Sequence, residues 1–453
     1  GLALSGAPAA WLAQQQRACD GQFRATPIQL AAMRPIAEGK SVALMAPTGT
    51  GKTLAYLLPL WQRLQGKAFS SEGPKLLVIC PSEDLQQQVG FVARVLGGPR
   101  MAEAVLVLSR GATRSEMATA LVVVATPALL MEKVSQPDFI EVWEDAMGSI
   151  EALVVDEADS LLPMGGARTW VLGDLLDDIM DARRRQQADS GKDSPLQVVA
   201  VSASIDTNTL NLLEDTVGVP IELYRGGASG DASEGAQGVE DADDPDAVEL
   251  WPKGLRHSFS VRERLLERGG AVSPYALGTI AAAVKELKPT CCLVILAEKR
   301  KLSERGGSLG RYLTRLRKEL PSFQVVTASA AVQGLVAGGP AQPGQQRLIL
   351  GRSESIRGLD IPGVDTVIIV GALATAREYL HLAGRTARCA AGADAPTQGT
   401  VCSLVGSINA KTLKKWGREM GFEPNRLWLD DPSREGAAEG ERPGGKGAAE
   451  GER

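Results

Sequence analysis

Two tandem doubly wound α/β domains, each a parallel sheet covered by helices on both faces, are the architecture that this sequence predicts. Short β-branched runs alternate with amphipathic stretches, and the alternation occurs twice. The runs are apolar from end to end, as strands buried on both faces must be. An acidic segment without aromatic residues then divides the 453 residues into two bodies, each long enough for a core of its own.

In the first body, residues 1–225, the predicted strands are Ser41–Met45, Lys75–Cys80, Ala104–Leu108, Leu121–Val124, Ala152–Val155 and Gln197–Val201. In the second, residues 251–425, they are Cys291–Leu296, Gln324–Thr327, Arg347–Leu350, Thr366–Val370 and Thr400–Leu404. The amphipathic stretches between them supply the crossovers that parallel strands require. Residues 226–250 hold eight acids and no basic side chain; they bury too little apolar surface to offset ordering entropy and read as a disordered linker. The tail, 426–453, repeats GAAEGER and reads as a second low-complexity segment.

Composition narrows the function. Apolar residues make up 44% and charged residues 23%, a globular balance that excludes fibrous or wholly disordered classes. The longest nearly apolar run, Ala120–Met131, is interrupted by Pro127 and falls short of the ~20 residues that span a bilayer, so no membrane partner is expected. His257, His381 and six cysteines without a CxxC pair leave no zinc framework. So few cysteines in a long chain point to an intracellular, reducing compartment, with nucleus, cytoplasm and organelle not distinguished. The chain opens on Gly1, which reads as a fragment or a processed product.

Charge is unevenly spread. The formal net charge is −5, yet residues 251–425 carry 25 basic and 13 acidic side chains, a net of +12. A basic half in an acidic chain suggests a face for a polyanion. The alternative is a solvated helix surface, because Arg311, Arg315 and Lys318 follow helical spacing.

After the first strand comes APTGTGKT: Ala46, Pro47, Thr48, Gly49, Thr50, Gly51, Lys52 and Thr53. Strand, glycine-rich loop and helix are the context of a phosphate-cradling loop, whose glycines let backbone N–H groups approach phosphate oxygens. Lys52 is placed to reach the β and γ phosphates of a nucleoside triphosphate, and the Thr53 hydroxyl to hold Mg²⁺. The strict pattern has glycine where Ala46 stands. The strand Ala152–Val155 runs into Asp156, Glu157, Ala158 and Asp159. Asp156 is placed for the metal shell and Glu157 for orienting and deprotonating the attacking water. Loop and carboxylates together predict hydrolysis of a triphosphate.

With both motifs in place the sequence resembles the DEAD-box RNA helicases, and the resemblance covers both bodies. It implies two RecA-like domains, ATP and Mg²⁺ as cofactors, and RNA as a partner gripped by its backbone without sequence preference. Upstream, ATPIQ resembles the adenine-reading Q motif, with Gln29 on the adenine edge and Phe23 as the covering aromatic, one place later than the family spacing. Ser202-Ala203-Ser204 is similar to the SAT triplet, which implies that Ser202 and Ser204 couple the domains. IRGLD resembles the end of motif V, placing Arg357 at the domain interface and Asp360 on the ribose. YLHLAGRTAR resembles motif VI; it implies that Arg385 and Arg388 reach the γ-phosphate across the cleft, and that His381 links motif VI to the acidic motif.

The sequence also departs from that family. PSEDL stands for PTREL, bringing Ser82 and Glu83. Ala128 and Leu129 end the TPGR position, Gly351-Arg352 replaces the Thr-Asp that opens motif V, and Leu382 replaces an arginine. Where QxxR belongs, Gln333-Gly334-Leu335-Val336 stands. These positions belong largely to the RNA track, whereas the nucleotide ligands are nearly all present. The expectation is therefore an ATP-dependent RNA helicase or RNA-protein remodelling ATPase, acting as a monomer with a protein cofactor. Its rivals are a non-catalytic ATP-dependent RNA clamp or assembly factor, and a relative that acts on DNA.

Overall fold

The structure, a computed structural model, describes residues 4–18, 24–46, 49–65, 73–162, 171–190, 195–203, 205, 207–226, 255–263, 265, 273–297, 307–336, 344–356, 358–359, 361–387 and 398–429. Its strands form two seven-stranded sheets, parallel throughout. The first comprises β1 (Val42–Met45), β2 (Leu76–Ile79), β3 (Val105–Val107), β4 (Val122–Ala125), β5 (Ala152–Asp156), β6 (Gln197–Ser202) and β7 (Glu222–Arg225). The second comprises β8 (Leu255–Val261), β9 (Cys291–Ala297), β10 (Gln324–Thr327), β11 (Arg347–Arg352), β12 (Thr366–Gly371), β13 (Gly399–Val405) and β14 (Asn425–Arg426).

The spatial orders are β3-β4-β2-β5-β6-β1-β7 and β10-β11-β9-β12-β13-β8-β14. Each strand of the second sheet thus occupies the place of the strand numbered seven lower in the first. The chain builds one sheet plan twice.

All eleven strands expected from the sequence are present. Three strands, β7, β8 and β14, are not among those expected, for two physical reasons. Arg256, His257, Ser258 and Ser260 break the apolar run of β8, although it lies between β13 and β14. The others are edge strands, where exposed Glu222, Arg225, Asn425 and Arg426 carry no buried-strand signature. Because β14 joins the second sheet, and Leu427 and Leu429 pack on it, the second body continues beyond the 425 limit drawn from composition. Residues 227–250 of the acidic segment and 430–453 of the tail lie outside the described residues.

Burial explains why the strands read as unbroken apolar runs. In β2, Leu76 and Val78 join one core cluster while Leu77 and Ile79 join the other. In β9, Cys291, Leu293 and Ile295 face one cluster and Cys292, Val294 and Leu296 another. Each such side chain contributes about 1.5–3 kcal/mol by leaving water, which drives helices onto both faces. His257 is part of that core: its ring stacks on Phe422 at 3.9 Å between centroids, and Nδ1 lies 2.9 Å from the Tyr379 hydroxyl. Burial pulls its pKa down to about 4.

The two bodies meet along the helix Glu83–Ala102 of the first, which packs on the helices Ala328–Val336 and Ser353–Ile356 of the second. Gly358 closes this contact with φ of +73°; a Cβ there would overlap Leu85 and lie 3.2 Å from Glu157 Cγ. Only glycine serves both the backbone and the approach. Leu382, in place of an arginine, is fully buried in the second body, so that departure follows an apolar environment.

Candidate functional site

The glycine-rich loop leaves β1 at Ala46 and re-enters structure at Gly49, whose φ is +81°; Gly51 follows at +79° and starts the helix Lys52–Leu64. Two consecutive left-handed turns of this kind need glycine, and they leave the first N–H groups of the helix without intrahelical partners. Pro47 and Thr48 lie outside the described residues. The segment ahead of the helix Pro27–Ala37 holds the loop from one side. Thr26 donates its hydroxyl to the Thr50 carbonyl at 2.7 Å, and Gln29 Nε2 donates to the Gly51 carbonyl at 3.0 Å. Gln29 Oε1 in turn accepts from the Thr26 N–H at 3.0 Å. Gln29 therefore stands on the loop itself, with a second amide hydrogen and a second carbonyl lone pair left for another partner.

Lys52 is buried at the base of the loop and donates to the Ala46 carbonyl at 2.7 Å. Burial pulls its ammonium below the ordinary lysine range, against the raising pull of Glu157 and Asp156; Arg385 adds to the lowering. Asp156, at the end of β5, accepts from the Tyr56 hydroxyl at 2.8 Å through Oδ2, and from the Glu157 N–H at 3.0 Å through Oδ1. Burial first, and the neighbouring Glu157 second, lift its pKa to about 6. Thr53 also neighbours the Tyr56 phenol, so one side chain stands beside the hydroxyl and the carboxylate expected to share a metal. Tyr56 is not among the expected site residues; its only signal in the sequence is its place one helical turn after Lys52.

Glu157 takes a left-handed backbone conformation, φ 53° and ψ 50°, which strains a non-glycine residue by about 1–2 kcal/mol. The bond from its N–H to Asp156 and that from Ser160 N–H to its carbonyl, 2.8 Å, hold the turn. Its carboxylate is buried, and Oε2 makes no hydrogen bond among the described residues.

The second body closes the site from the loop after β12, the strand equivalent to β5. Thr375 caps the helix Ala376–Ala383, accepting from Glu378 N–H, and this helix presents His381. His381 Nε2 lies 2.8 Å from Asp159 Oδ2, and Nδ1 lies 3.9 Å from Glu157 Oε2. Arg385 follows, 3% exposed, donating Nε to the His381 carbonyl and Nη1 to the Leu359 carbonyl, both at 2.9 Å. Glu157, Asp159 and His381 form a group whose ligand atoms lie within 4.8 Å of one another, close enough to hold a cation.

Ser202, also buried, ends β6 beside Met45, and its carbonyl accepts from Ala46 N–H at 3.2 Å. Of the predicted site residues, Gln29, Ala46, Gly49, Thr50, Gly51, Lys52, Thr53, Asp156, Glu157, Ser202, His381 and Arg385 are thus placed by the structure. Ser204, Arg357, Asp360 and Arg388 lie outside the described residues, as does Phe23. At one departure the new residue is a helix cap, Ser82 accepting from Leu85 N–H at 3.3 Å; at another the cap is Thr126, which the family pattern shares, accepting from Leu129 N–H at 3.4 Å.

The family model described as DEAD/DEAH box helicase matches residues 26–212, and that described as helicase conserved C-terminal domain matches residues 341–390. The ATP-dependent RNA helicase SrmB of Escherichia coli (strain K12) is 26% identical over 416 residues, covering 88% of this chain and 77% of that protein. The ATP-dependent RNA helicase DRS1 of Debaryomyces hansenii is 25% identical over 377 residues, covering 81% of this chain; the chain spans only 42% of that relative's length. In fold the chain is similar to Mss116p bound to ssRNA and AMP-PNP, with a TM-score of 0.67, 18% identity, and coverage of 94% of this chain and 78% of that one.

Proposed function

The chain belongs to the DEAD-box helicase family, and on that premise we propose that it is an ATP-dependent RNA helicase or RNA-protein remodelling ATPase, whose site lies between its two bodies. One observation carries this reading: His381 of the second body lies 2.8 Å from Asp159 of the first, so that buried Arg385 and buried Lys52 stand on the two sides of one buried site. Two buried cations on opposite bodies suit a polyphosphate lying between them.

The residues divide the work. Gly49, Thr50, Gly51 and the start of the helix after them hold phosphate oxygens through backbone N–H groups, with Lys52 on the β and γ phosphates. Gln29 uses its second hydrogen and lone pair on the adenine edge while its first bond holds the loop. Thr53 and Asp156 would hold Mg²⁺: hard oxygen donors suit that ion, and the raised pKa of Asp156 marks an acidic pair in want of a cation. The ion supplies charge neutralisation on the phosphate oxygens.

Glu157 orients the attacking water and takes its proton. Arg385 and Arg388 stabilise charge on the transferring phosphoryl, a contribution of ~10³–10⁵ in rate in related sites. His381, Ser202, Ser204 and Arg357 tie nucleotide to domain closure, and Asp360 meets the ribose. RNA bound across both bodies, through its backbone, favours closure, so that RNA and ATP strengthen each other's binding reciprocally. One chain supplies both halves of the site, so a monomer suffices.

The test is phosphate release at steady state with single-stranded RNA, with single-stranded DNA and with neither, using Glu157→Gln as the control. Stimulation by RNA, abolished in the control, is the expected result. Binding without release in any condition would make the protein a clamp, and equal stimulation by DNA would move its substrate class.

A further inference from the structure

The last helix and the edge strand of the second sheet carry a face that the nucleotide site does not use. The helix Ser407–Glu419 buries Ala410, Leu413 and Gly417 and leaves Lys411, Lys414, Lys415 and Arg418 exposed. Three- and four-residue spacing places these four on one side of the helix.

Beyond the helix, β14 sets Arg426 in register with Phe259 of β8. Phe259 shares its core cluster with Ala410 and Leu413, whereas Leu427 and Leu429 pack on the opposite face of the sheet. Side-chain alternation therefore puts Arg426 on the face that the helix covers. Lys414 joins the two parts, its ammonium 5.2 Å from the centroid of the Phe259 ring. Trp428 stands 69% exposed, with the Arg426 guanidinium 3.8 Å over its ring.

From Ser407 to Leu429 the chain carries five basic residues and two acidic ones, Glu419 and Glu423, a net of +3. An open tryptophan, steadied by a guanidinium and bordered by a basic helix face, combines the two components that bind single strands: an aromatic plane for a base and cations for the phosphates. A surface for an apolar partner would instead present a contiguous apolar patch. The edge strand β14 lies three places along the sheet from β12, after which the helix Ala376–Ala383 and the turn behind it supply His381 and Arg385.

We propose that Lys411, Lys414, Lys415, Arg418, Arg426 and Trp428 form a second surface for single-stranded RNA, separate from the cleft, which holds the flanking strand and stacks one base on Trp428. The inference rests on RNA being the partner, as argued under the proposed function.

Two oligouridylates test it, a short one of about 6 nucleotides and a long one of about 30, lengths that bracket the footprint of one binding fold. Both are titrated in a non-hydrolysable ATP analogue against the unaltered protein, Trp428→Ala, and the triple variant Lys411→Gln/Lys415→Gln/Arg418→Gln. The long strand is expected to bind Trp428→Ala about tenfold more weakly. For the triple variant its salt dependence should flatten by about 2 units of slope. The short strand, satisfied by the cleft, should bind all three proteins alike.

Unchanged affinity for the long strand overturns the proposal, as does an equal loss for both strands. So does preferential capture of polyglutamate by the unaltered protein, which would make the face a protein interface. Failure of RNA to stimulate phosphate release from the unaltered protein would strike the broader reading instead, and that assay is independent of these variants.

Discussion

Nε2 of His381 lies 2.8 Å from Oδ2 of Asp159, a buried contact between a helix of the second body and the turn that follows β5 in the first. The adjoining Glu157 is thereby within reach of the same imidazole, at 3.9 Å. The meeting of the two bodies and the placement of the Glu157 carboxylate are therefore one structural event.

His381→Ala should uncouple them. Removing one side of a buried polar contact costs about 1–3 kcal/mol, so RNA-stimulated turnover is expected to fall about 10- to 100-fold. Nucleotide binding in the absence of RNA should change little, because the loop residues all belong to the first body. Titration with a fluorescent ATP analogue, beside phosphate release, separates the two; an equal loss in both would count against a coupling role.

Asp156 sets a pH dependence. Its folded pKa of about 6 lies above the ordinary aspartate value of 3.8, so its contribution to stability is fully present below about pH 4 and is lost as pH rises through 6. Asp156→Asn should therefore stabilise the protein at pH 7.5 by about 2–3 kcal/mol, and the gain should vanish below pH 4. The same variant should abolish hydrolysis. Thermal unfolding across pH provides the check, and a variant no more stable at pH 7.5 would refute the assignment.

Gly358→Ala should block approach of the bodies. The new Cβ overlaps Leu85, and φ of +73° adds about 1–2 kcal/mol of backbone strain. Compaction with RNA and an ATP analogue, followed by small-angle scattering, should be lost. Leu85→Ala in the same protein should restore part of it by relieving the overlap but not the strain. Full compaction of the single variant would show that the contact is not needed.

Gln29 holds Gly51 by one amide hydrogen, and the proposed function gives its other one to the base. Gln29→Ala should weaken ATP by about a hundredfold and GTP by about tenfold, taking about 1 kcal/mol per lost bond. Equal losses would eliminate base reading. A loss confined to ATP would show that the bond to the loop contributes nothing.

Eleven of the fourteen strands, and the loop and acidic turn of the candidate site, are legible because they rest on local signals. β2 and β9 are apolar throughout since both faces are covered, and the turns at Gly49 and Gly51 demand their own residue type. β7, β8 and β14 were not legible, since edge position and a polar central strand leave no periodic mark. Tyr56 was missed for a related reason: its hydroxyl matters only because β5 ends beside it, a hundred residues along the chain.

Sequence alone determined that a phosphate loop, an acidic strand end and an arginine-bearing segment exist in this order, because each is written in consecutive residues whose backbone and charge requirements are local. Tertiary structure decided which of them meet. That β12 repeats the place of β5, bringing His381 to Asp159 and Arg385 toward Lys52, follows from packing two copies of one sheet plan against the helix Glu83–Ala102. Such contacts join residues more than two hundred positions apart, and no spacing in the chain encodes them.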